Sequence, residues 1–247
     1  MLEINGLTKT FGGVTAVHNV SLRIEAGEVR GLIGPNGAGK STLVNLISGL
    51  LTQSAGSLAL DGALLDGLAA PRRAQIGIGR TFQNLRVFQS LTVQQNIEVA
   101  QSAAKVDGPI HDNFVRSAIA KFNLTDSLHT RAGNLAYGYL RRLEIVRALA
   151  LKPKIIMLDE PAAGMNEHET KALAEALRWL RQQSDCAMLV IDHDLKFIMA
   201  LCDQITVLNM GSVIADGKPN EVANNRQVID AYLGEDHTIA VLSLIHI

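Results

Sequence analysis

The sequence contains few residues of the types that mark disulfide-stabilised or aromatic-rich proteins. Its two cysteines, Cys186 and Cys202, lie in apolar surroundings and lack the spacing of metal ligands, which excludes a disulfide-stabilised secreted fold. We therefore expect both thiols to be reduced core residues of a cytosolic protein. Aromatic residues make up 4% of the chain and hydrophobic residues 47%. The core is thus predicted to be aliphatic, which favours an α/β protein with a parallel sheet.

Long apolar runs and an excess of one charge are also missing. No stretch approaches the ~20 apolar residues that cross a bilayer, and Glu3 and Asn5 interrupt the start of the chain. Neither a membrane span nor a secretory signal is therefore predicted. The formal net charge of −1 gives no basic footprint for nucleic acid, so we expect no nucleic-acid partner. If the protein acts at a membrane, another chain has to cross it.

Residues 34–42 form the most informative motif that is present. They fit the phosphate-loop pattern G-x-x-x-x-G-K-[ST], between an apolar run at 29–33 that predicts a buried strand and a segment at 43–50 that predicts a helix. Glycines let backbone N–H groups surround a phosphate, and the helix N-terminus favours an anion. Lys40 can reach the terminal phosphates, and the Ser41 hydroxyl can bind Mg²⁺. The predicted phosphate-binding residues are Gly34, Pro35, Asn36, Gly37, Ala38, Gly39, Lys40, Ser41 and Thr42.

The rest of the pattern predicts an α/β core with a helical insertion. A turn is predicted at 8–13 and a hairpin-like break at 26–28. From about 91 to 149 the pattern is helical, and after Pro153 the alternation of strands and helices returns. The predicted strands, besides 29–33, are 2–7, 20–24, 57–60, 154–158, 187–191 and 205–208. The predicted helices, besides 43–50, begin near 71 and 92 or cover 112–121, 167–181 and 195–201, with a loop at 105–113.

Two of these strands end in residues that can do chemistry. The strand at 155–160 ends in Asp159 and Glu160. In phosphate-loop enzymes a carboxylate at such a strand end binds Mg²⁺, so we assign Asp159 to the metal and Glu160 to the attacking water. The alternative for an isolated pair is a solvated strand end. His193 follows the strand at 187–191 and can stabilise charge on a γ-phosphate, although a lone histidine is more often structural.

Two further segments are open to more than one interpretation. Gln83, where the core passes into the helical block, could bind Mg²⁺ or water, but residue chemistry alone favours a surface loop. Residues 134–144 form a glycine-bearing turn that opens an arginine-rich helix. That turn could be a second anion site at a helix N-terminus or an ordinary helix cap.

In their order and spacing, these motifs resemble those of an ATP-binding cassette (ABC) ATPase. The resemblance rests on the phosphate loop, Gln83, residues 135–143, residues 155–160 and His193, and it covers residues 1 to about 236. Within the family, four stretches resemble cassettes that energise branched-chain amino acid uptake. They are 80–84, 135–138, 159–166 and 231–234, and they are most similar to the LivG type, one of two different cassettes in those importers.

The resemblance implies one nucleotide-binding domain over residues 1–236. A phosphate-loop (RecA-like) ATPase core would occupy 1–85 and 150–236 and carry an antiparallel β subdomain. An α-helical signature subdomain would be inserted at 86–149. The apolar tail at 237–247 has no counterpart in the family, and we expect it to be a non-native or disordered extension, the alternative being a packing tail.

The resemblance also implies ATP and Mg²⁺ as cofactors. Phe11 would stack on adenine, with Val17 packing nearby. Gln83 would bind Mg²⁺ with Ser41 and Asp159 and would face the membrane subunit.

Glu160 would then be the catalytic base and His193 the switch histidine. A signature loop would bind the γ-phosphate of ATP held by a second cassette, and Asn166 would lie in the loop that crosses to that partner. The predicted signature-loop residues are Leu135, Ala136, Tyr137, Gly138 and Tyr139.

The signature loop departs from the general family pattern, which has Ser-Gly-Gly-Gln after leucine. Ala136 lacks the serine hydroxyl, although Ala-Tyr-Gly at 136–138 is typical of the LivG branch. Tyr139 stands where a polar or acidic residue is usual, and Leu140 replaces a usual glutamine. Backbone N–H groups and the helix dipole at Gly138 would remain to bind the phosphate.

The implied function is ATP hydrolysis that drives import. The partners would be a second cassette in a homo- or heterodimer, transmembrane permease subunits and, indirectly, a periplasmic binding protein. The implied location is the cytoplasmic face of the bacterial inner membrane. Alternatives are a cassette for urea, short amides or lipopolysaccharide export, a non-transport ABC protein, or a small-molecule kinase, which would not need the signature loop.

Overall fold

Ten strands, nine α-helices and two short 3-10 helices make up the regular structure of the residues that the computed structural model describes, 1–103 and 113–233. The strands are β1 (Leu2–Phe11), β2 (Val14–Ile24), β3 (Val29–Ile33), β4 (Ala55–Leu60), β5 (Ala63–Leu64), β6 (Ile78–Arg80), β7 (Ile155–Asp159), β8 (Ala187–Ile191), β9 (Gln204–Asn209) and β10 (Ser212–Gly217). The helices are α1 (Lys40–Ile47), α2 (Ala70–Gln75), α3 (Val93–Ala103), α4 (Asn113–Lys121), α5 (Tyr137–Leu149), α6 (Glu167–Gln183), α7 (Leu195–Leu201), α8 (Pro219–Ala223) and α9 (Arg226–Leu233).

A six-stranded sheet in the order β10-β9-β3-β8-β7-β6 forms the centre of the fold. Its strands are parallel except for β10, which pairs antiparallel with β9 at the edge. Every residue of β3, β7 and β8 is buried. These strands are apolar almost throughout because layers of structure cover both faces of a parallel sheet.

A second, antiparallel sheet has the order β2-β1-β4-β5. Two apolar clusters lie on the two faces of the central sheet, and alternate residues of β7 enter each of them, as the two-residue period of a strand requires. Ile155 and Met157 join the cluster built with the antiparallel sheet and α1. Ile156 and Leu158 join the cluster built with the helices.

The predicted fold class is confirmed: a mixed α/β protein in which a helical block lies between strands of a largely parallel sheet. The predicted strands at 29–33 and 187–191 match β3 and β8 residue for residue. Cys186 and Cys202 are free and buried, as expected. No helix of the described residues is both long enough and apolar enough to cross a bilayer.

Several predicted boundaries were wrong. Residues 8–11 belong to β1, and the turn is confined to Gly12 and Gly13. The break at 26–28 is not a hairpin, because β2 and β3 belong to different sheets. The helix after the phosphate loop begins at Lys40 and ends at Ile47, and β10 was not predicted.

The predicted loop at 105–113 lies outside the described residues except for Asn113, which begins α4. Asp112, predicted as the first residue of that helix, and the tail at 237–247 are also outside them. The predicted domain limits of 1–85, 86–149 and 150–236 remain a prediction.

Candidate active site

A cleft of about 710 Å³ opens at the carboxyl edge of the central sheet. Because β3, β7 and β8 are parallel neighbours, the residues that follow them meet at this edge. The cleft is lined by Ala16, Gly34, Pro35, Asn36, Gly37, Ala38, Gly39, Lys40, Ser41, Thr42, Gln83, Asp159, Glu160, Ile191, Asp192, His193, Leu195 and Tyr232. All nine predicted phosphate-loop residues therefore share one cavity with both predicted carboxylates, Gln83 and His193.

The phosphate loop has a backbone that only glycine accommodates at two positions. Gly34 has φ +146°, and a Cβ there would lie 2.0 Å from the Leu208 carbonyl oxygen. Gly39 has φ +103°, and a Cβ there would lie 2.4 Å from the Ala16 carbonyl oxygen. Lys40 begins α1 and donates from Nζ to the carbonyl oxygens of Gly34 (2.5 Å) and Pro35 (2.9 Å), so its positive charge lies over the loop.

Asp159 ends β7 and is held by the last residue of β6, Arg80, and by Thr81, which follows it. Its backbone N–H donates to the Thr81 hydroxyl (3.1 Å), and its Oδ2 lies 3.4 Å from Arg80 Nη2. Burial raises the pKa of Asp159, and the positive charge of Arg80 partly opposes that rise. Arg80 also donates to Asn45 Oδ1 (2.6 Å) and Ser48 Oγ (3.0 Å) of the α1 region. The carboxylate is thus tied to the helix that follows the phosphate loop.

Glu160 has a left-handed backbone, with φ +50°. For a residue other than glycine this conformation costs free energy and is often found at functional sites. Its backbone N–H donates to the Ile191 carbonyl at the end of β8 (2.7 Å). Its Oε2 accepts a hydrogen bond from Gln83 Nε2 (3.3 Å). Gln83 lies in an exposed loop, as residue chemistry favoured, and it also faces this carboxylate.

His193 follows β8 by two residues, with its side chain 75% exposed, lining the cleft, and Nδ1 3.7 Å from Asp192 Oδ1. Asp192 is buried and accepts backbone N–H groups of Ala162 (3.2 Å) and Asp194 (3.0 Å). Asp192 thereby connects the turn that carries His193 to the loop that follows Glu160. The sequence analysis gave Asp192 no role.

The predicted signature loop, residues 135–139, does not line the cleft of its own chain. Ala136 is the N-cap of α5 and offers no side-chain cap. Tyr137 and Tyr139 are exposed by 44% and 38%, and the Arg142 guanidinium lies 5.3 Å from the centre of the Tyr139 ring. The loop thus presents an uncapped helix N-terminus and two aromatic rings at the surface.

Three other predicted residues lie away from the cleft lining. Phe11 is 45% exposed, with Lys9 Nζ 5.0 Å from its ring centre. Val17 is fully buried in the core, so its neighbour Ala16 takes the position that faces the cleft. Asn166 caps α6: its Oδ1 accepts the Glu169 N–H (3.0 Å), and its own N–H donates to Glu169 Oε2 (3.0 Å).

Besides Asp192, sequence reasoning missed several residues around the site. Tyr232 of α9 lines the cleft, and only the resemblance of residues 231–234 drew attention to that stretch. Arg80 and Arg141 contact the residues around Glu160 from distant segments. Both arginines lie in stretches on which the resemblance rests, 80–84 and 135–143, but no local pattern predicts the contacts that they make.

Two family models match the chain. A family model described as ABC transporter matches residues 17–163, and one described as branched-chain amino acid ATP-binding cassette transporter matches residues 212–238. The high-affinity branched-chain amino acid transport ATP-binding protein BraF of Pseudomonas aeruginosa is 41% identical, with 95% of this chain and 98% of that protein covered. The LivG protein of Escherichia coli, which carries the same description, is 40% identical over the same shares.

A solved structure of a dimeric ATP-binding cassette in a post-hydrolysis state, bound to ADP and Pi, is similar in fold. Its TM-score is 0.77 at 26% identity, with 89% of this chain and 99% of that chain covered.

Proposed function

The chain belongs to the ABC transporter family, and on that premise we propose that it is the ATP-hydrolysing subunit of an importer for branched-chain amino acids. One observation carries the enzymatic part of the proposal. A single cleft brings the phosphate loop together with Asp159, Glu160, Gln83 and His193. The cargo is proposed from the described activity of the relatives and from the second family match at 212–238.

The phosphate loop would hold the ATP phosphates through backbone N–H groups, with Lys40 neutralising the terminal phosphates. Lys40 Nζ already lies within hydrogen-bond distance of two loop carbonyls, so a small rotation of its side chain would bring it to a phosphate. Phe11 would stack on the base. Its exposed ring and the nearby Lys9 amine suit that role.

The oxygen donors around the cleft fit Mg²⁺. Ser41, Gln83 and Asp159 offer a hydroxyl, an amide oxygen and a carboxylate, and Mg²⁺ prefers such ligands. No cluster of three or more His, Cys, Asp or Glu side chains suited to a metal occurs within 1–103 and 113–233. We therefore propose that nucleotide phosphates complete the coordination. Bound Mg²⁺ would neutralise charge that develops on the phosphates during hydrolysis.

In the proposed reaction, a water oxygen attacks the γ-phosphorus and the bond to the β–γ bridging oxygen breaks. Glu160 takes the proton of that water and ADP leaves with the bridging oxygen. The Gln83 amide, 3.3 Å from the Glu160 carboxylate, orients the base. His193, exposed to the cleft, would donate a hydrogen bond to the γ-phosphate.

We propose that a second cassette completes the site. The signature loop of this chain is exposed and outside its own cleft, so it would bind ATP held by the partner. The cassette would lie at the cytoplasmic face of the bacterial inner membrane, bound to transmembrane permease subunits. A periplasmic binding protein would deliver the cargo to those permeases. The Gln83 loop would face those permeases.

The cargo can be tested with the complete transporter in proteoliposomes, together with its binding protein. We expect binding protein loaded with leucine to increase ATP hydrolysis, and binding protein offered urea or acetamide to leave the rate at its basal level. Stimulation by urea or acetamide without stimulation by leucine would assign another cargo and contradict the proposal.

A further inference from the structure

Arg141 of α5 holds the backbone of the loop that carries Gln83. Its side chain is 1% exposed, and it donates from Nη1 to the Phe82 carbonyl (2.6 Å) and from Nη2 to the Gln83 carbonyl (3.1 Å). A planar guanidinium can bind two neighbouring acceptors in a fixed direction, which a lysine amine cannot. The position of the Gln83 backbone is therefore set by a side chain of α5.

Glu144, one turn further along α5, holds the same loop by its N–H groups. Its Oε1 accepts from the backbone of Phe82 (3.2 Å) and Arg86 (3.3 Å), and its Oε2 accepts from Arg141 (3.1 Å). The Glu144 side chain is 2% exposed. Buried charged hydrogen bonds of this kind are costly to leave unmade, so the loop is expected to move together with α5.

The same arginine also reaches the signature loop. Arg141 Nη2 donates to the Tyr137 hydroxyl (3.2 Å) at the start of α5. The Tyr137 ring lies against the loop that leads to α6, since a Cβ on Gly164 would lie 3.1 Å from a ring carbon. At the other end, the Gln83 side chain donates to Glu160 (3.3 Å). Hydrogen bonds thus run from the exposed signature loop to the carboxylate in the cleft.

We propose that Tyr137, Arg141 and Gln83 form a link between the two ATP sites of the assembled dimer, an inference that rests on the proposed function above. When the signature loop contacts ATP held by the partner, the Tyr137 hydroxyl fixes the orientation of the Arg141 guanidinium. The guanidinium fixes the position of the Gln83 backbone, and Gln83 orients Glu160 to accept the water proton in this chain's own site. Tyr137 and Arg141 are positioning residues, because neither lines the cleft.

The test uses the assembled transporter and three variants of this chain. Tyr137→Phe removes the hydroxyl but keeps the ring on Gly164, and its partly exposed position makes misfolding a small risk. Arg141→Lys keeps the positive charge but loses the planar guanidinium that binds two neighbouring acceptors. Arg178→Lys is the matched control, since Arg178 also donates to a backbone carbonyl, that of Ala200 (3.0 Å), but on the far part of α6.

The link predicts a change in kcat without a change in KM. Loss of one hydrogen bond to a charged group should lower kcat about tenfold in Tyr137→Phe. KM for ATP at this chain's own site should stay the same, because neither substitution alters a residue that lines this chain's cleft. The kcat of Arg141→Lys should fall at least as far, and the kcat of Arg178→Lys should equal that of the parent. If Arg141→Lys does not fold, the Tyr137→Phe result decides alone.

A second arm separates a link from a local defect. In mixed complexes, purified through two different affinity tags, the phosphate-loop lysine of the partner cassette is replaced so that this chain's signature loop has no ATP to meet. The hydrolysis rate at this chain's own site should then already be low, and Tyr137→Phe should lower it no further.

Two results would overturn the link: a parent-like kcat in Tyr137→Phe, or the same fold loss whether or not the partner's phosphate loop is intact. A parent complex that hydrolyses no ATP would instead overturn the proposed function, and the link with it. The two failures are therefore distinguishable in one set of measurements.

Discussion

Burial acts on single ionisable residues in two different settings of this fold. Around the cleft it raises the pKa of Asp159 and lowers that of Arg80, and each of these charges partly offsets the shift of the other. Arg80 also donates hydrogen bonds to Asn45 and Ser48, so the ion pair remains connected to the α1 region. In the apolar core, burial acts on Cys186 and Cys202 without a compensating charge, and their pKa rises to about 12.

The two thiols should therefore be almost inert in the native protein. With a pKa of about 12, the thiolate fraction at pH 8 is about a thousandfold smaller than for an ordinary cysteine. Alkylation by iodoacetamide, followed by mass spectrometry, should be slower by at least that factor than in urea-unfolded protein. Rapid labelling of either thiol under native conditions would show that the core around it opens readily.

The same shift has a consequence for stability. Above about pH 9 the unfolded chain loses its thiol protons while the folded chain keeps them up to about pH 12. Deprotonation then favours the unfolded state, so these two residues lower the free energy of unfolding as pH rises through this window.

Site residues that follow one another in the chain could be predicted from the sequence. Asp159 and Glu160 are adjacent, and the phosphate loop is a single run. Residues that act across distant segments could not be, since Arg80 meets Asp159 from 79 positions away and Arg141 meets Phe82 from 59. Val17, predicted to pack near adenine, is buried in the core while its neighbour Ala16 lines the cleft, because alternate side chains of a strand point to opposite faces.

At the scale of one element, α6 begins with a complete capping box. Asn166 and Glu169 satisfy each other's backbone N–H groups, which fixes where the helix starts and therefore the path of the loop that leaves Glu160. The start of α6 also lies against α5, because a Cβ on Gly138 would lie 3.0 Å from Glu169 Oε1.

Asn166→Ala should therefore destabilise the isolated chain by about 1 kcal/mol, the usual cost of losing such a cap. Asn166→Asp, whose carboxylate can accept the same N–H bond, should restore most of that loss. Urea denaturation of the three proteins measures the difference. Equal midpoints for the parent and Asn166→Ala would mean that the cap contributes nothing to stability.

Elements with a continuous apolar run or a clear amphipathic pattern were predicted well from the sequence. β3 and β8 are fully buried apolar runs, and α6 has an amphipathic pattern over Glu167–Gln183. β10 is an edge strand with half-buried residues and no clear alternation of polar and apolar residues, so the sequence pattern did not predict a strand there. The second half of β1 is also half-buried, and its threonines led to the wrong prediction of a turn.

At the scale of the whole molecule, the proposed hydrolytic residues and the predicted signature loop do not share one cavity of the chain. Glu160 and the phosphate loop line the cleft, whereas residues 135–139 do not. On the proposed roles, a single chain would hold ATP without a signature contact at its own site, and we infer that fast hydrolysis needs the partner cassette.

The central claim is that Glu160 is the base for ATP hydrolysis in that assembly. The direct measurement is the ATP turnover rate of Glu160→Gln in the complete transporter, beside the parent. The replacement keeps the shape of the side chain and removes its basic oxygen, so turnover should fall by ~10²-fold or more while ATP binding persists. A variant that binds ATP and hydrolyses it at nearly the parent rate would contradict the account.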